Sequence, residues 1–249
     1  MGKLDGTFSV VTGAASGIGA GIAKAFAREG SDVCIVDICD EARAGPVLHA
    51  IERHGRRAMF IHADVADEPS VREMADSVLA AFGQVDILVN NAGIFTQSLL
   101  ENLPVADWDR VVGVNLRGTF LCTRFLLPQM LARKSGRIIN IASQLGQIGG
   151  LEVVHYCASK GGVIAFTKAL AREVASRGVL VNAIAPGPIE TPMLEGETEQ
   201  WRNAKLAELP IGRFGRVDEV VPTALLLASA EGSYYVGQTL GPNGGDVML

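Results

Sequence analysis

"TFSVVTGAASGIGAGIAKAFAREG", residues 7–30, changes character twice. Residues 7–13 are a short β-rich run ending at Gly13, and residues 19–30 have helical period and stop at Gly30. Between them lies the glycine-punctuated turn "TGAASGIG" (12–19). A strand that passes through such a turn into a helix is the first half of a βαβ unit, and the rest of the chain repeats the alternation. Further strands are expected at "DVCIVDI" (32–38), "RAMFIHADV" (57–65), "VDILVNNAG" (85–93), "GRIINIAS" (136–143), "VLVNAIAPG" (179–187) and "VGQTLG" (236–241). Helices are expected over 40–55, with Pro46 as an early break, over 67–83, where acids and a proline open and a glycine closes, and over 104–133. Two more are expected from the segment around Tyr156 to about Arg177, and over 217–229. Residues 188–215 read as loop-rich, with a small acidic cluster at Glu190, Glu195, Glu197 and Glu199. Continuous apolar strands separated by helices predict an α/β fold, a parallel sheet covered on both faces. With no repeat, low-complexity tract or linker, residues 1–249 read as a single domain.

Bulk properties narrow the function classes. The chain has 249 residues, 48% apolar and 20% charged, enough to bury a sizeable core. A net charge of −5 and the lack of a basic run argue against nucleic acid as partner. No apolar run is long enough for a membrane span, and the N-terminus lacks a signal-peptide pattern. The cysteines Cys34, Cys39, Cys122 and Cys157 form no CxxC or ligand-like cluster. They read as reduced thiols of a cytoplasmic protein with no metal site.

The turn at 12–19 suits a phosphate. Gly13, Gly17 and Gly19 let backbone approach a ligand, and Ser16, Gly17 and Ile18 open a helix whose N-terminus offers free N–H groups and a positive dipole. Tight turns need glycine in any case, so the turn gains weight from Asp37, which ends the second strand. A carboxylate there can accept hydrogen bonds from a ribose hydroxyl; the plain alternative is a loop acid or helix cap. The same carboxylate would repel a 2′-phosphate, and no cation stands at Ile38 or Cys39. NAD is therefore expected, with NADP as the alternative should Arg43 swing in.

Tyr156 and Lys160 are four residues apart and would be neighbours on one helix face. Together with "TGAASGIG", "NNAG" (90–93), Asn115 in "GVNLRG", Ser143 and "PGPIET" (186–191), this spacing resembles the short-chain dehydrogenase/reductase family. The matching motifs stand in order from Thr12 to Thr191, with a family-like tail. The resemblance implies a Rossmann-like, doubly wound, seven-stranded parallel sheet, a nucleotide across its C-terminal edge, and a homotetramer. It implies a catalytic set of Asn115, Ser143, Tyr156 and Lys160. It also implies adenine contacts from Asp64 and Val65, and a cleft lined by Asn91, Ala92 and Gly93. Tyr156 and Lys160 reach the cofactor too, Pro186 and Gly187 form its nicotinamide side, and Ile189 and Thr191 contact its carboxamide. Taken singly, Ser143 reads as a helix cap and Asn115 as a buried helix residue; the constellation favours catalysis.

In that setting the pairing of phenol and ammonium has a purpose. An ordinary tyrosine has a pKa of about 10. Two unit charges about 4 Å apart at an effective dielectric of about 20 interact by about 4 kcal/mol, a shift of about three units. Lys160, with an oxidised nicotinamide, is expected to bring Tyr156 to about 7, where it can act as general acid or base. Asn115 is expected to hold a water that links Lys160 to solvent.

The substrate pocket is expected to draw on Phe95, Gln144, Leu145, Ile148, Leu151, Val153, Pro188, Met193 and Trp201, with 188–215 folding over as a lid. The expected activity is NAD(H)-dependent interconversion of a small-molecule secondary alcohol (a polyol, sugar or small hydroxy compound) and its ketone. The alternative is an NADPH-dependent 3-oxoacyl-thioester (acyl-carrier-protein) reductase. A non-catalytic dinucleotide sensor is a remote third, since such a protein could lose Tyr156 or Lys160 at no cost. The tail "GPNGG" stands where the resemblance leads one to expect "VDGG".

Overall fold

The computed structural model describes residues 2–248. Seven strands form one parallel sheet in the order β3-β2-β1-β4-β5-β6-β7. They are β1 (Phe8–Thr12), β2 (Asp32–Asp37), β3 (Ala58–His62), β4 (Ile87–Asn90), β5 (Gly136–Ile141), β6 (Val179–Ile184) and β7 (Thr239–Leu240). The order reverses between β1 and β4, which opens a crevice at the C-terminal ends of those strands.

Alternation along each strand feeds two cores. On one face Val11, Val33, Ile35, Ile87, Val89 and Ile139 pack with residues of α1 (Gly17–Arg28), α2 (Glu41–Glu52) and α9 (Val217–Ala228). On the other, Val10, Cys34, Val36, Leu88, Ile138 and Val181 pack with α3 (Glu68–Phe82), α5 (Gly118–Arg133) and α7 (Val154–Val174). Burying both faces explains why the strands read as apolar runs rather than alternating ones. Among the described residues no helix is long and apolar enough to cross a membrane.

Three elements depart from expectation. Pro46 does not break α2: the bond it cannot make is to Ala42, whose carbonyl lies on the exposed first turn and can bond water. The long helix over 104–133 is two helices, α4 (Val105–Val112) and α5, joined by a π-helical turn at Gly113–Arg117. Residues 188–215 are not wholly irregular. They contain α8 (Glu199–Glu208), capped by Thr198, whose hydroxyl accepts from the Trp201 N–H at 3.1 Å. A short helix, α6 (Leu145–Ile148), follows Ser143.

Candidate active site

At the phosphate end, Gly13 has φ +63°, and a Cβ there would stand 2.7 Å from Ala92 Cα. Only glycine allows β1 and β4 to come this close. Asn91 holds the approach: its Nδ2 donates to the Thr12 and Gly13 carbonyls at 2.9 and 2.8 Å. The Asn91 and Ala92 N–H groups both donate to Thr12 Oγ1 at 3.0 Å. The Asn91 amide is thus committed to bracing the turn rather than free to line the cleft, and Thr12 is a bracing residue that the sequence reading missed. Helix α1 starts with Ser16 at its cap, with no side-chain cap bond and no acid in the first turn. Its N–H groups and dipole are left available to an anion. Ile18 packs partly on the core, while a Cβ on Gly19 would collide with the Asn91 amide and the Gly13 carbonyl.

Farther along the crevice, Asp37 accepts from Ala15 N at 3.0 Å and from Cys39 N at 3.2 Å. The helix-cap reading is excluded for it, because Asp40 caps α2. A carboxylate has about four acceptor positions, so two remain for ribose hydroxyls. Asp64 Oδ1 accepts from Ala66 N at 2.8 Å, and Val65 is buried against Gly118. On the far side Thr191 reaches back to the turn, its methyl 3.6 Å from where a Gly17 Cβ would be. Pro186 is buried, and Gly187 N donates to Pro242 O at 3.2 Å. The Ile189 side chain is in the core, so any contact it makes with a cofactor passes through its backbone. These features fit a dinucleotide: a cradle that a Cβ would fill, uncapped helix donors, and one free-facing carboxylate.

The four expected catalytic residues converge. Tyr156 and Ser143 are both buried, and Ser143 Oγ accepts from Leu145 N at 3.1 Å. Lys160 is buried with Nζ 5.7 Å from the Tyr156 ring centroid, and it donates to Ile141 O at 2.8 Å. Asn115 sits in the π-helical turn, which offsets it from the regular helix ladder. Its Nδ2 donates to Ile94 O at 3.0 Å and to Ser159 Oγ at 3.1 Å, and its Oδ1 accepts from Ile94 N at 2.8 Å. Gly93 lies between the two, where a Cβ would be 3.3 Å from Asn115 Oδ1 and 3.5 Å from Lys160 Nζ.

Without a nicotinamide, the electrostatics around Tyr156 are set by burial. Burial pushes its phenol up to about 12, against the smaller opposing effect of the Ser143 hydroxyl. Burial likewise pulls Lys160 down to about 8. Desolvation disfavours both charges, and the ammonium is spent on a backbone carbonyl. The protein alone therefore keeps Tyr156 protonated rather than bringing it to about 7.

Around Tyr156 the walls form in part as expected. Phe95 stacks edge-on to Tyr156, centroids 5.0 Å apart at 81°, and Leu145 and Val153 belong to the same cluster. Leu151 and Met193 are largely exposed instead. Trp201 packs within the 188–215 segment against Phe214, centroids 6.2 Å apart, since an indole held on α8 finds its apolar partner there. Gln144 is buried, but its Nε2 donates to Asp246 in the C-terminal tail. Nothing in the spacing of residues 144 and 246 announces that link. His155 turns away from Tyr156 to Thr96 Oγ1 at 2.7 Å. A buried network, Asn90–Asn140–Thr167 with Thr123, braces β4 and β5 from beneath. Its one visible sign in the sequence is the polar Asn140 inside an apolar strand.

A family model described as short chain dehydrogenase matches residues 8–202. The chain is 42% identical over 246 residues to a 3-oxoacyl-acyl-carrier-protein reductase (FabG) of Thermotoga maritima, covering 99% of this chain and 100% of that one. It is 40% identical over 240 residues to the protein of the same name in Staphylococcus aureus, covering 96% and 98%. A solved short-chain type dehydrogenase/reductase from Mycobacterium marinum superposes with a TM-score of 0.94 at 33% identity, covering 99% and 97%.

Proposed function

The chain belongs to the short-chain dehydrogenase family, and from that premise we propose that it reduces a ketone to a secondary alcohol, reversibly, with NAD(H). The observation that carries the reading is the convergence of buried Tyr156, Ser143 and Lys160, with Lys160 Nζ 5.7 Å from the Tyr156 ring centroid. A phenol that burial holds neutral at pH 7 is a proton donor, the role ketone reduction requires. The Tyr156 hydroxyl gives its proton to the carbonyl oxygen, and Ser143 orients that oxygen by a hydrogen bond. Lys160 supplies positive charge where the phenolate develops, which lowers the cost of proton release. Asn115 fixes the 94 loop against Ser159 and keeps this corner rigid. In the oxidative direction the same tyrosine, once deprotonated, is the base.

The nicotinamide, when bound, supplies or removes the hydride. Its dinucleotide would be held by the backbone of Gly13, Ser16, Gly17, Ile18 and Gly19, by Asp37 at the ribose and by Asp64 and Val65 at the adenine. Ala92, Gly93, Pro186, Gly187, Ile189 and Thr191 would complete the cleft, with Lys160 and Tyr156 at its reacting end. Asp37 supports NADH over NADPH, because a carboxylate holding the ribose would repel a 2′-phosphate. Among substrates, a 3-oxoacyl thioester is better supported than a polyol or sugar, since full-length relatives at 40–42% identity carry the name of such a reductase. A homo-oligomer in the cytoplasm completes the proposal. A non-catalytic sensor is disfavoured by the assembled Tyr156–Ser143–Lys160 set.

The test is initial rates with acetoacetyl-coenzyme A and with a panel of polyols and ketones, each with NADH and NADPH. Reduction of the thioester with NADH at least about tenfold more efficient than with NADPH, about 1.4 kcal/mol, meets the proposal. A preference for NADPH sinks the Asp37 argument. Turnover of polyols but not the thioester returns the substrate to the first expectation.

A further inference from the structure

The tail "GPNGGD", residues 241–246, departs from the family-like pattern at a point that matters. Asn243 folds it into a tight turn: Nδ2 donates to Val247 O at 2.8 Å, and Oδ1 accepts from Gly245 N at 2.9 Å. Backbone bonds fix the turn between two segments, Gly187 N to Pro242 O at 3.2 Å and Ile211 N to Gly244 O at 3.2 Å. The result is to deliver Asp246, whose side chain is 7% exposed, to Lys205 of α8, Nζ to Oδ2 at 2.6 Å. Lys205 also reaches Glu208 at 3.0 Å. The same Asp246 oxygen accepts from Gln144 Nε2, and Gln144 directly follows Ser143, with its own N–H on Pro186 O at 3.1 Å.

One carboxylate thus joins the end of β5, the lid helix and the tail. An ionised carboxylate only accepts, so Gln144 must offer it the NH₂ side of its amide. Gln144 Oε1 is left buried with no partner among the described residues. The segment's other side-chain polar ties to the body, such as Gln97 to Glu197 and Arg213 to Glu219, are exposed. The Lys205–Asp246 pair is the best shielded ion pair among the described residues, and it ties α8 to the tail that reaches Gln144.

We propose that Asp246 is a positioning residue for substrate binding: through Lys205 it docks α8, and through Gln144 it sets the pocket wall next to Ser143. It touches no reacting atom. The idea rests on the reading of Ser143 and Tyr156 as the reacting centre, so its test has an arm that needs no substrate. Amide hydrogen exchange is followed by mass spectrometry in the full-length protein, its Asp246→Ala, Asp246→Asn, Asp246→Glu and Lys205→Met variants, and the Lys205→Met/Asp246→Asn double variant. In Asp246→Ala, exchange over residues 199–208 is expected to rise about tenfold while the sheet is unchanged, which reports local opening. With whichever substrate is turned over, KM is expected to rise about fivefold in Asp246→Ala while kcat and the NADH Kd stay within about twofold. Asp246→Glu restores KM, and the double variant is no worse than Asp246→Asn alone, because the Lys205 arm is already lost in that variant.

Unchanged exchange in α8 overturns the proposal whatever the substrate proves to be. So does faster exchange with an unchanged KM, or a parallel fall of kcat, thermal stability and sheet protection. If Asp246→Ala does not fold, Asp246→Asn and Lys205→Met carry the same comparison. Absence of turnover with thioesters bears on the proposed substrate alone and leaves the exchange result to decide.

Discussion

Two lysines flank the reacting centre and are held in opposite ways. Lys160, on α7, is buried, bonded to the Ile141 carbonyl, and pulled down to about 8 by burial. Lys205, on α8, is also pulled down by burial, but the hydrogen bonds and charges of Asp246 and Glu208 outweigh it and raise its pKa. The first belongs to a region built of close backbone approaches and buried neutral bonds. The second belongs to a region held by ion pairs, most of them exposed. In the proposed function, chemistry that must be repeated to a fraction of an ångström rests on the first, and substrate choice on the second. A comparison of this kind can be broken in order of severity.

The largest expected effect is on Tyr156. Tyr156→Phe keeps the ring that packs on Phe95 but removes the proton donor. Turnover is expected to fall about 10²–10⁴-fold, the usual worth of general acid–base catalysis. The NADH Kd, read by fluorescence titration, is expected to stay within about threefold because the cradle at 13–19 is untouched. Retained turnover would remove Tyr156 from the mechanism.

The lysines themselves predict opposite pH dependences. Lys160 has a folded pKa of about 8 against the ordinary 10.5, so between these values the unfolded chain holds more protons. Stability therefore rises with pH across that window, by on the order of 3 kcal/mol. Lys205 has a folded pKa above 10.5, so its contribution is fully present below that value and is lost as pH rises through the folded pKa. Urea unfolding of the native protein minus Lys160→Met should climb from pH 8 to 10.5. The same difference for Lys205→Met should be flat there and fall above it. Curves of the same sign would dissolve the distinction.

Paired glycines sharpen the contrast in backbone terms. Gly13→Ala must place a Cβ 2.7 Å from Ala92 Cα at φ +63°. The left-handed backbone alone costs about 1–3 kcal/mol, and the displaced turn should weaken NADH binding more than about tenfold. Gly196, in the lid, has nothing within 4 Å of the same added atom. Gly196→Ala is expected to change stability by less than about 0.5 kcal/mol. Thermal melts and NADH titrations of the two variants make the check; equal effects would mean the two regions are equally constrained.

The same contrast explains what could be read from the chain. Tyr156, Lys160, Ser143 and the glycines of 12–19 were legible because their chemistry fixes both residue type and spacing. The strands were legible because burial on both faces writes an apolar run. The π-helical offset of Asn115 was not, since local pattern 104–133 is helical throughout and the extra residue is imposed by Ile94 and Ser159 from elsewhere. Gln144 and Asp246 are 102 residues apart, and nothing in either neighbourhood announces the other. Trp201 was read as a pocket residue because aromatic character does not say which neighbour it will meet, and Phe214 was the nearer one. The depth at which Tyr156 is buried was not legible for a related reason: spacing shows the helpful charge but not the burial that opposes it in the chain alone.

The smallest predicted effect lies at the outer edge of the lid. Glu190 pairs with Arg202, side chains 49% and 31% exposed. Exposed pairs are worth about 0–1 kcal/mol, because water screens the attraction and two long side chains must be ordered to make it. Arg202 also lies 4.8 Å over the Phe214 ring, a contact that Glu190→Gln would leave in place. The variant is therefore expected to lose less than about 1 kcal/mol at low salt and nothing measurable at about 1 M, where the screening length shrinks to about 3 Å. Differential scanning calorimetry at the two salt concentrations checks this. A loss above about 2 kcal/mol that survives high salt would show the lid to be held as tightly as the catalytic edge. The division of labour between Lys160 and Lys205 would then have to be abandoned, because a rigid lid would bind substrate with the same preorganisation that the sheet gives the chemistry.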